Sequence, residues 1–248
     1  MRGKIQILGW MAGATLALSL GAAQAGPLPA GWSSTGNAGT NTTDDGVVTL
    51  IPGLNSYQWI STYLGEADAG KLPTGATGQE TNGSRMRTLD FTVSAGDKLD
   101  FSFNYITSDG AGYTEYAWAG LFNGPASFDS YLFTARTTTS GDTVPGFELP
   151  VLGTGVTLSP ASSAIIAGAP EFSPLGISSN FCYDDGCGYT GWIEVEYTFT
   201  AGGTYHLEFG VTNAIDDEFN TALAVGGVAI NDKYIDNNNV PEPATLAP

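Results

Sequence analysis

The chain has 248 residues, and its 25 acidic against 8 basic side chains give it a formal net charge of −17. Nucleic-acid binding depends on clustered Lys and Arg that displace counterions from phosphates, so this balance argues against DNA, RNA and anionic membranes as partners. With 34 glycines and 11% aromatic residues, the composition disfavours helices and predicts an all-β protein.

The first 25 residues have the pattern of a secretory signal peptide. Two of the first four residues are basic, residues 5–20 are largely apolar, and Ala23 and Ala25 are small residues at the two positions that a signal peptidase recognises. A membrane anchor is the weaker interpretation, because the apolar run is short for a bilayer span and contains glycines. We therefore predict cleavage after Ala25 and a mature chain that begins at Gly26.

Alternation of apolar and polar residues predicts antiparallel strands along the mature chain. In stretches 99–105 and 193–200 every second side chain is apolar, so one face of each strand packs on a core and the other meets water. The remaining predicted strands cover 47–51, 57–64, 116–122, 131–137 and 223–230. We predict one domain at 26–236, an antiparallel two-sheet β-sandwich of jelly-roll type. An Ig-like sandwich is the alternative, although the Cys-Trp-Cys spacing of antibody domains is missing.

Two segments, 90–103 and 196–209, share the arrangement of strand, Ala-Gly turn and strand. They are interpreted either as hairpins or as short connections between sheets. Two long regions rich in Gly, Pro, Ser and Thr, 65–84 and 140–180, lie between the predicted strands. Apolar residues in the second region favour a packed insertion with short strands over a disordered linker, and long loops of this kind often carry binding sites.

Cys182 and Cys187 bracket a Tyr-Asp-Asp-Gly sequence that contains a turn signal. In an exported chain with two cysteines, this spacing predicts a disulfide that closes a small loop. A zinc site would need more ligands than two cysteines and the single His206. By strand alternation, His206 is predicted on the solvent-facing side of its strand.

The sequence lacks the common catalytic motifs. It contains no nucleophile elbow, no zinc-binding His pair and no phosphate loop, so we predict a non-catalytic protein. A glycosidase needs only two carboxylates at the correct separation, and 25 acidic residues do not single out a pair. A secreted glycoside hydrolase therefore stays as one alternative, and an inert matrix coat protein as another.

Two loops, 109–115 and 213–218, are candidates for binding. Both are rich in carboxylates, and Ca²⁺ takes six to eight oxygen ligands, so each is a candidate for a structural Ca²⁺ site. Plain solvated loops are the alternative. The carboxylates concerned are Asp109 and Glu115 in the first loop and Asp216, Asp217 and Glu218 in the second.

Four aromatic residues are candidates to stack on sugar rings, although aromatic residues in strands more often belong to a core. Tyr116 and Trp118 share one face of a predicted strand, while Tyr113 and Trp192 lie near predicted loops. Alternation does not decide whether the face of Tyr116 and Trp118 is wet.

The chain ends in the segment 237–248, NNNVPEPATLAP. Pro241 and Pro243 remove backbone donors and disfavour helix at the residues before them, so we predict an extended tail outside the fold. The run Val240, Pro241, Glu242, Pro243 and the residues up to Ala247 closely resemble the start of the PEP-CTERM sorting signal. Stretches 108–122, 191–213 and 221–230 also resemble one group of these bacterial surface proteins.

The resemblance implies export followed by sorting. In the family, an inner-membrane exosortase recognises the Pro-Glu-Pro motif while a following apolar helix and a basic cluster hold the substrate in the membrane. This chain departs from the pattern after Ala247, where a single proline follows. Either the native tail is longer or the protein is released without an anchor, and we expect the former. The expected location is the cell surface or the extracellular matrix, with secretion as the alternative, and exopolysaccharide is the expected partner.

Overall fold

The computed structural model describes residues 25–236. The signal-peptide residue Ala23 and the sorting motif at 240–243 lie outside the described residues. Within 25–236 the chain is nearly all β, with short 3-10 turns at Ala111–Tyr113 and Ser173–Ser178. The strands are β1 (Ser33–Thr35), β2 (Asn37–Asn41), β3 (Tyr57–Ser61), β4 (Glu66–Ala67), β5 (Glu80–Arg87), β6 (Phe91–Val93), β7 (Lys98–Thr107), β8 (Tyr116–Asn123), β9 (Ser127–Arg136), β10 (Val156–Ser159), β11 (Ile166–Ala167), β12 (Gly188–Tyr189), β13 (Ile193–Thr198), β14 (Gly203–Ala214), β15 (Thr221–Ile230) and β16 (Lys233–Tyr234).

The strands form two antiparallel sheets, which confirms the predicted all-β two-sheet sandwich. Sheet 1 has the order β1-β5-β14-β8-β9, with β4 added beside β5 and β6 beside β14. Sheet 2 has the order β10-β13-β7-β15-β3-β2, with β12 added beside β7, β11 beside β12 and β16 beside β15. Among residues 25–236, neither helical turn is long and apolar enough to span a bilayer.

The main core lies between the two sheets. Strand β13 alternates as predicted, with Ile193, Val195 and Tyr197 buried and the residues between them exposed. Phe103 of sheet 2 stacks on Phe133 of sheet 1, with ring centroids 3.6 Å apart and planes 6° from parallel. These contacts bury the apolar face of each sheet, which supplies most of the stabilisation of a sandwich.

The two Ala-Gly turns connect the sheets, so the second of the two interpretations is correct. Strand β6 pairs with β14 in sheet 1, whereas β7, which follows the first turn, lies in sheet 2. The second turn leads from β13 in sheet 2 to β14 in sheet 1. Each turn therefore carries the chain across the core.

The outer face of sheet 1 is covered, which the alternation in β8 and β14 did not reveal. A second cluster on this face packs Leu72 from the 65–84 region against Trp118 and Tyr131. Trp118 Nε1 donates to the Gly70 carbonyl at 2.7 Å, and Thr74 Oγ1 lies 2.6 Å from the Tyr131 hydroxyl. Both faces of the centre of sheet 1 are therefore dry.

On the same outer face, the prediction of a surface His206 is wrong. The side chain is fully buried, and its ring stacks on Phe122 with centroids 5.0 Å apart. The carboxylates of Asp90 and Glu208 lie 3.8 Å and 3.5 Å from its two ring nitrogens. Alternation identifies the face on which a side chain lies, but it does not tell whether other segments cover that face.

Two strand predictions also differ from the structure. Stretch 47–51 is not a strand, because the Asp44 carboxylate accepts from the Leu50 amide at 2.7 Å and holds a turn that leaves an isolated Asp45–Val48 bridge. Strand β5 was not predicted, since its sequence is polar and contains Gly83. A Cβ at Gly83 would lie 2.3 Å from the Ala69 carbonyl oxygen of the covering segment and 2.4 Å from the Val211 carbonyl oxygen of β14, so this position requires glycine.

The packing of the two sheets predicts a large cost for Phe133→Ala. Removing the ring stacked on Phe103 leaves a cavity in the core, and we expect the free energy of unfolding to fall by about 3–5 kcal/mol. Urea denaturation followed by tryptophan fluorescence measures the change. Val151→Ala is the control, because Val151 is 88% exposed and should change the stability by no more than about 0.5 kcal/mol. A loss below about 1 kcal/mol for Phe133→Ala would contradict this account of the core.

Candidate functional site

Three loops meet at one end of the sandwich, and we call this region the loop end. The loops are 108–115 after β7, 173–187 before β12, and 213–220, which covers the end of β14 and its connection to β15. The Tyr183 amide donates to the Ser108 carbonyl at 3.0 Å, and the Ala111 amide donates to the Asp185 carbonyl at 2.8 Å. Two loops that the sequence analysis considered separately, 109–115 and 213–218, therefore belong to one surface, together with the cysteine loop.

Asn220 links the third loop to the other two. Its amide donates to Ser108 Oγ at 3.1 Å, and its carbonyl accepts from the Ser108 amide at 3.1 Å. Its side-chain amide donates to the Leu175 carbonyl and to Ser178 Oγ at 3.1 Å and 3.0 Å. Because Asn220 is buried, these bonds are shielded from water and hold the loops in one arrangement.

Cys182 and Cys187 form a disulfide, as predicted, with Cα atoms 5.5 Å apart. The closed loop packs tightly on the first loop of the site. A side chain at Gly186 would place its Cβ 2.6 Å from Ala111 Cβ, and Gly186 has a φ of 102°, so both contact and conformation require glycine. The cysteine loop and the first loop therefore fit closely against each other.

Two buried carboxyl groups lie beneath the loop end. Asp109 is 1% exposed and Glu115 is 2% exposed. Glu115 Oε2 accepts from Thr107 Oγ1 at 2.9 Å and from Thr221 Oγ1. Asp109 Oδ1 accepts from the Gly110 amide at 2.7 Å, whereas Oδ2 is buried and accepts from no amide or hydroxyl among the described residues.

The two carboxyl groups affect each other's pKa. Burial is the main cause that raises the pKa of Asp109, to about 6, and the nearby Asp216 and Glu218 raise it further. Burial and then the Asp109 charge raise the pKa of Glu115 well above its ordinary range. The pair therefore holds a proton through mildly acidic pH.

The structure gives the calcium prediction little support. It brings Asp109 and Glu115 together, with Asp216 and Glu218 near enough to affect the pKa of Asp109. Asp217 is exposed at the edge of the loop end. In the part of the chain that the structure describes, no group of three or more Asp, Glu, His or Cys side chains is arranged to hold a metal ion.

An aromatic patch lies exposed on the loop end, and we define it as Tyr113, Phe181, Tyr183 and Phe219. Phe181 is 58% exposed and Tyr183 is 50% exposed. Tyr183 packs edge-on against Tyr113, with ring centroids 5.4 Å apart. It packs at a tilt against Phe219, with ring centroids 4.9 Å apart. Exposed apolar patches surrounded by polar residues mark interaction sites.

A groove of about 530 Å³ lies beside the aromatic patch. It is lined by Ile177, Ser178, Phe181, Asp217, Glu218 and Phe219. Ile177 is 76% exposed, so this groove combines apolar walls with two carboxylates at the surface.

The four predicted sugar-stacking residues have different positions in the structure. Tyr116 and Trp118 are fully buried in the outer cluster of sheet 1, so neither ring offers a face to a sugar, and the structure corrects this part of the prediction. Trp192 is half-buried against Tyr57, and its Nε1 donates to the Thr49 carbonyl at 2.9 Å. Tyr113 alone belongs to the loop end.

The aromatic residues predicted from the sequence to bind sugar do not include Phe181, Tyr183 and Phe219. Tyr183 lies between the two cysteines and Phe181 directly precedes them, so both were visible in a segment interpreted only as a disulfide loop. Phe219 directly follows the acids of the third loop. An aromatic residue within a constrained, polar loop is the signal by which they could have been found.

A second concave surface lies on the outer face of sheet 2. This groove of about 420 Å³ has four carboxylates in its lining, from Asp100, Glu194, Glu196 and Asp232. Glu196 lies directly opposite Asp100 in the β13–β7 ladder. Burial raises the pKa of Asp100, and Glu196 and Asp232 raise it further. Facing carboxylates in a concave surface are the feature that the glycosidase alternative requires.

Comparisons with known proteins give no family. No protein-family model matches the chain, and no curated protein matches it. Among solved structures, a CBM4 structure is 10% identical with a TM-score of 0.34, covering 81% of this chain and 93% of its own. The K1 and K3 cleaved adhesin domains of Lys-gingipain from Porphyromonas gingivalis W83 are each 12% identical, with TM-scores of 0.34 and 0.37. They cover 81% and 82% of this chain and 92% of their own chains. At these TM-scores the similarities carry no assignment of family or function.

The buried carboxyl pair predicts a stability that depends on pH. Because the folded chain keeps a proton that the unfolded chain loses above the ordinary Asp value of 3.8, the pair's contribution is present at low pH and is lost as the pH rises through about 6. Asp109→Asn removes this linkage and keeps an oxygen that accepts from the Gly110 amide. We expect the variant to gain roughly 2 kcal/mol relative to wild type between pH 4 and pH 7, measured by urea denaturation.

Glu171→Gln is the control for this experiment, since its exposed side chain lies outside the pair. Its stability relative to wild type should stay constant over the same range of pH. If Asp109→Asn behaves in the same way as Glu171→Gln, the folded chain does not keep a proton on Asp109 that the unfolded chain loses.

Proposed function

We propose that this protein is an exported, non-catalytic surface module that binds extracellular polysaccharide at the loop end. The observation that carries the proposal is the exposed aromatic patch beside a groove, on loops held by a disulfide and buried hydrogen bonds. Aromatic faces pack on the apolar faces of sugar rings, and the carboxylates along the groove accept hydrogen bonds from sugar hydroxyls.

The order of the loop end supports this function. Binding costs less entropy when the groups that contact the ligand are already fixed. Tyr183 is held between Tyr113 and Phe219, and its amide is bonded to Ser108. The patch therefore presents a surface of constant shape, as a module that recognises a repeating polymer requires.

Location forms the second part of the proposal. The N-terminal pattern and the disulfide support an exported protein, because disulfides persist in oxidising compartments. The Pro241-Glu242-Pro243 motif supports sorting by an exosortase to the cell surface or the extracellular matrix. A polysaccharide ligand is available in that compartment.

Substitutions in the aromatic patch test the binding site. We expect Phe181→Ala and Tyr183→Leu each to weaken binding to polysaccharide from the producing organism about tenfold, because each removes an exposed contact face. Affinity electrophoresis in gels that contain the polysaccharide measures the change. Ile166→Ala is the control, because Ile166 is an exposed apolar residue at 49% on another part of the surface.

Two results of this experiment would contradict the proposal. If wild-type protein does not bind any extracellular polysaccharide, the inert coat protein is the better interpretation. If incubation releases reducing ends and Asp100→Asn abolishes the release, the protein is a glycoside hydrolase that acts in the groove of sheet 2.

The sorting motif is tested separately. In an exosortase-containing host, with an apolar helix and an arginine cluster fused after Ala247, wild-type protein should be processed and delivered to the surface. Replacing Pro241, Glu242 and Pro243 by alanine should block processing, because the recognised triplet is lost, and should leave the melting temperature of the sandwich unchanged. Immunoblots of membrane and extracellular fractions measure delivery. Normal processing of the triple-alanine variant would contradict the exosortase assignment.

A further inference from the structure

The loop end carries negative charge without any compensating cation. Loops 108–115, 173–187 and 213–220 contain no Lys, Arg or His. None of their surface acids forms an ion pair within residues 25–236. These surface acids are Asp184, Asp185, Asp216, Asp217 and Glu218.

The basic residues of the domain lie outside the loop end, and several of them have other partners. On or beside sheet 1, Lys71 pairs with Asp68 and Arg85 pairs with Glu208. Arg136 is 5% exposed and donates to the Phe147 carbonyl. The negative potential at the loop end is therefore available to a ligand.

The acids adjoin the aromatic patch and form part of its groove. Asp217 and Glu218 line the groove together with Phe181 and Phe219. The Glu218 amide donates to Asp216 Oδ1 at 3.1 Å, which orients the acids of the third loop. A ligand that contacts the rings must therefore approach several carboxylates.

This arrangement selects among polysaccharides by charge. A polymer with uronate or sulfate groups is repelled, and a neutral polymer gains only hydrogen bonds from its hydroxyls to the carboxylates. A sugar that carries a protonated amine gains attraction from the carboxylates and from the faces of Tyr183 and Phe181. The rings pack on the sugar while the acids bind its charge.

We infer that the loop end binds an amino-sugar polymer with free, protonated amines, such as a glucosamine polymer. The inference rests on the proposed function, because it names the class of polysaccharide that the same site takes. The match is one of charge complementarity on an apolar groove, with polar hydroxyls and amines of the ligand at its edge.

Two oligosaccharides that differ only in charge test this inference. A β-1,4-linked glucosamine hexasaccharide and its fully N-acetylated form have the same rings and linkages. Measured by isothermal titration calorimetry at mildly acidic pH, the free-amine form should bind at least about tenfold more tightly. Added salt should reduce this difference, because it screens exposed charges. An oligogalacturonate should bind more weakly than either.

Matched charge variants show whether the loop end is responsible. The triple variant Asp216→Asn, Asp217→Asn and Glu218→Gln should lose the preference for the free-amine form and keep the affinity for the acetylated form. Asn at position 216 retains an oxygen that accepts from the Glu218 amide. The control removes the same charge from the groove of sheet 2, by Glu194→Gln, Glu196→Gln and Asp232→Asn, and should leave the preference intact.

The outcomes separate this inference from the proposed function. Equal affinity for the two hexasaccharides, with Phe181→Ala weakening both, would overturn the inference and leave polysaccharide binding at the loop end in place. Absence of binding to these and to every other polysaccharide would overturn both. If the sheet 2 control loses the preference as fully as the loop-end variant, the attraction belongs to the net charge of the protein, and the inference is also overturned.

Discussion

The stacking of Phe103 on Phe133 fixes the distance between the two sheets, and the other features of the molecule depend on that spacing. Aromatic rings from both sheets fill the space between them, and Phe101 also packs against Phe133 and Phe209. Because the interior is close-packed, the ends of β7, β14 and β15 have fixed relative positions. Two of the loops leave or enter these strands, and the third leads into β12, which pairs with the end of β7, so the three loops come together at one end. The aromatic patch is a consequence of this convergence.

The loop end combines a rigid base with an exposed surface. Asn220 and Ser108 are buried and bonded to each other, whereas Phe181 and Tyr183 above them are exposed. Buried hydrogen bonds are costly to break, because each partner would be left unsatisfied away from water. The acids at the loop end have two environments. The surface carboxylates are solvated, whereas burial raises the pKa of the two carboxyl groups beneath them.

The cover on sheet 1 separates two sets of aromatic residues that look alike in sequence. Trp118 and Tyr116 lie under the 65–84 region, where Trp118 bonds to the Gly70 carbonyl and Tyr116 bonds to the Glu80 carboxylate at 2.6 Å. Each polar group of these rings has a protein partner, as expected for buried aromatic residues. The hydroxyls of Tyr113 and Tyr183 lie 3.3 Å apart at the surface, where a ligand can reach them. The aromatic rings that a ligand can reach at the loop end therefore come from loop residues.

The sequence by itself determined the class of fold and much of its local structure. Alternation in 99–105 and 193–200 identified the faces that pack on the core, since a strand with one dry face needs apolar residues at every second position. The spacing of Cys182 and Cys187 was sufficient to predict their bond. The tertiary structure alone decided which outer sheet faces are buried, as at His206 and Trp118, and which loops meet. Those features depend on contacts between residues far apart in the chain, such as Asn220 with Ser108 or Gly70 with Trp118, and no local pattern records them.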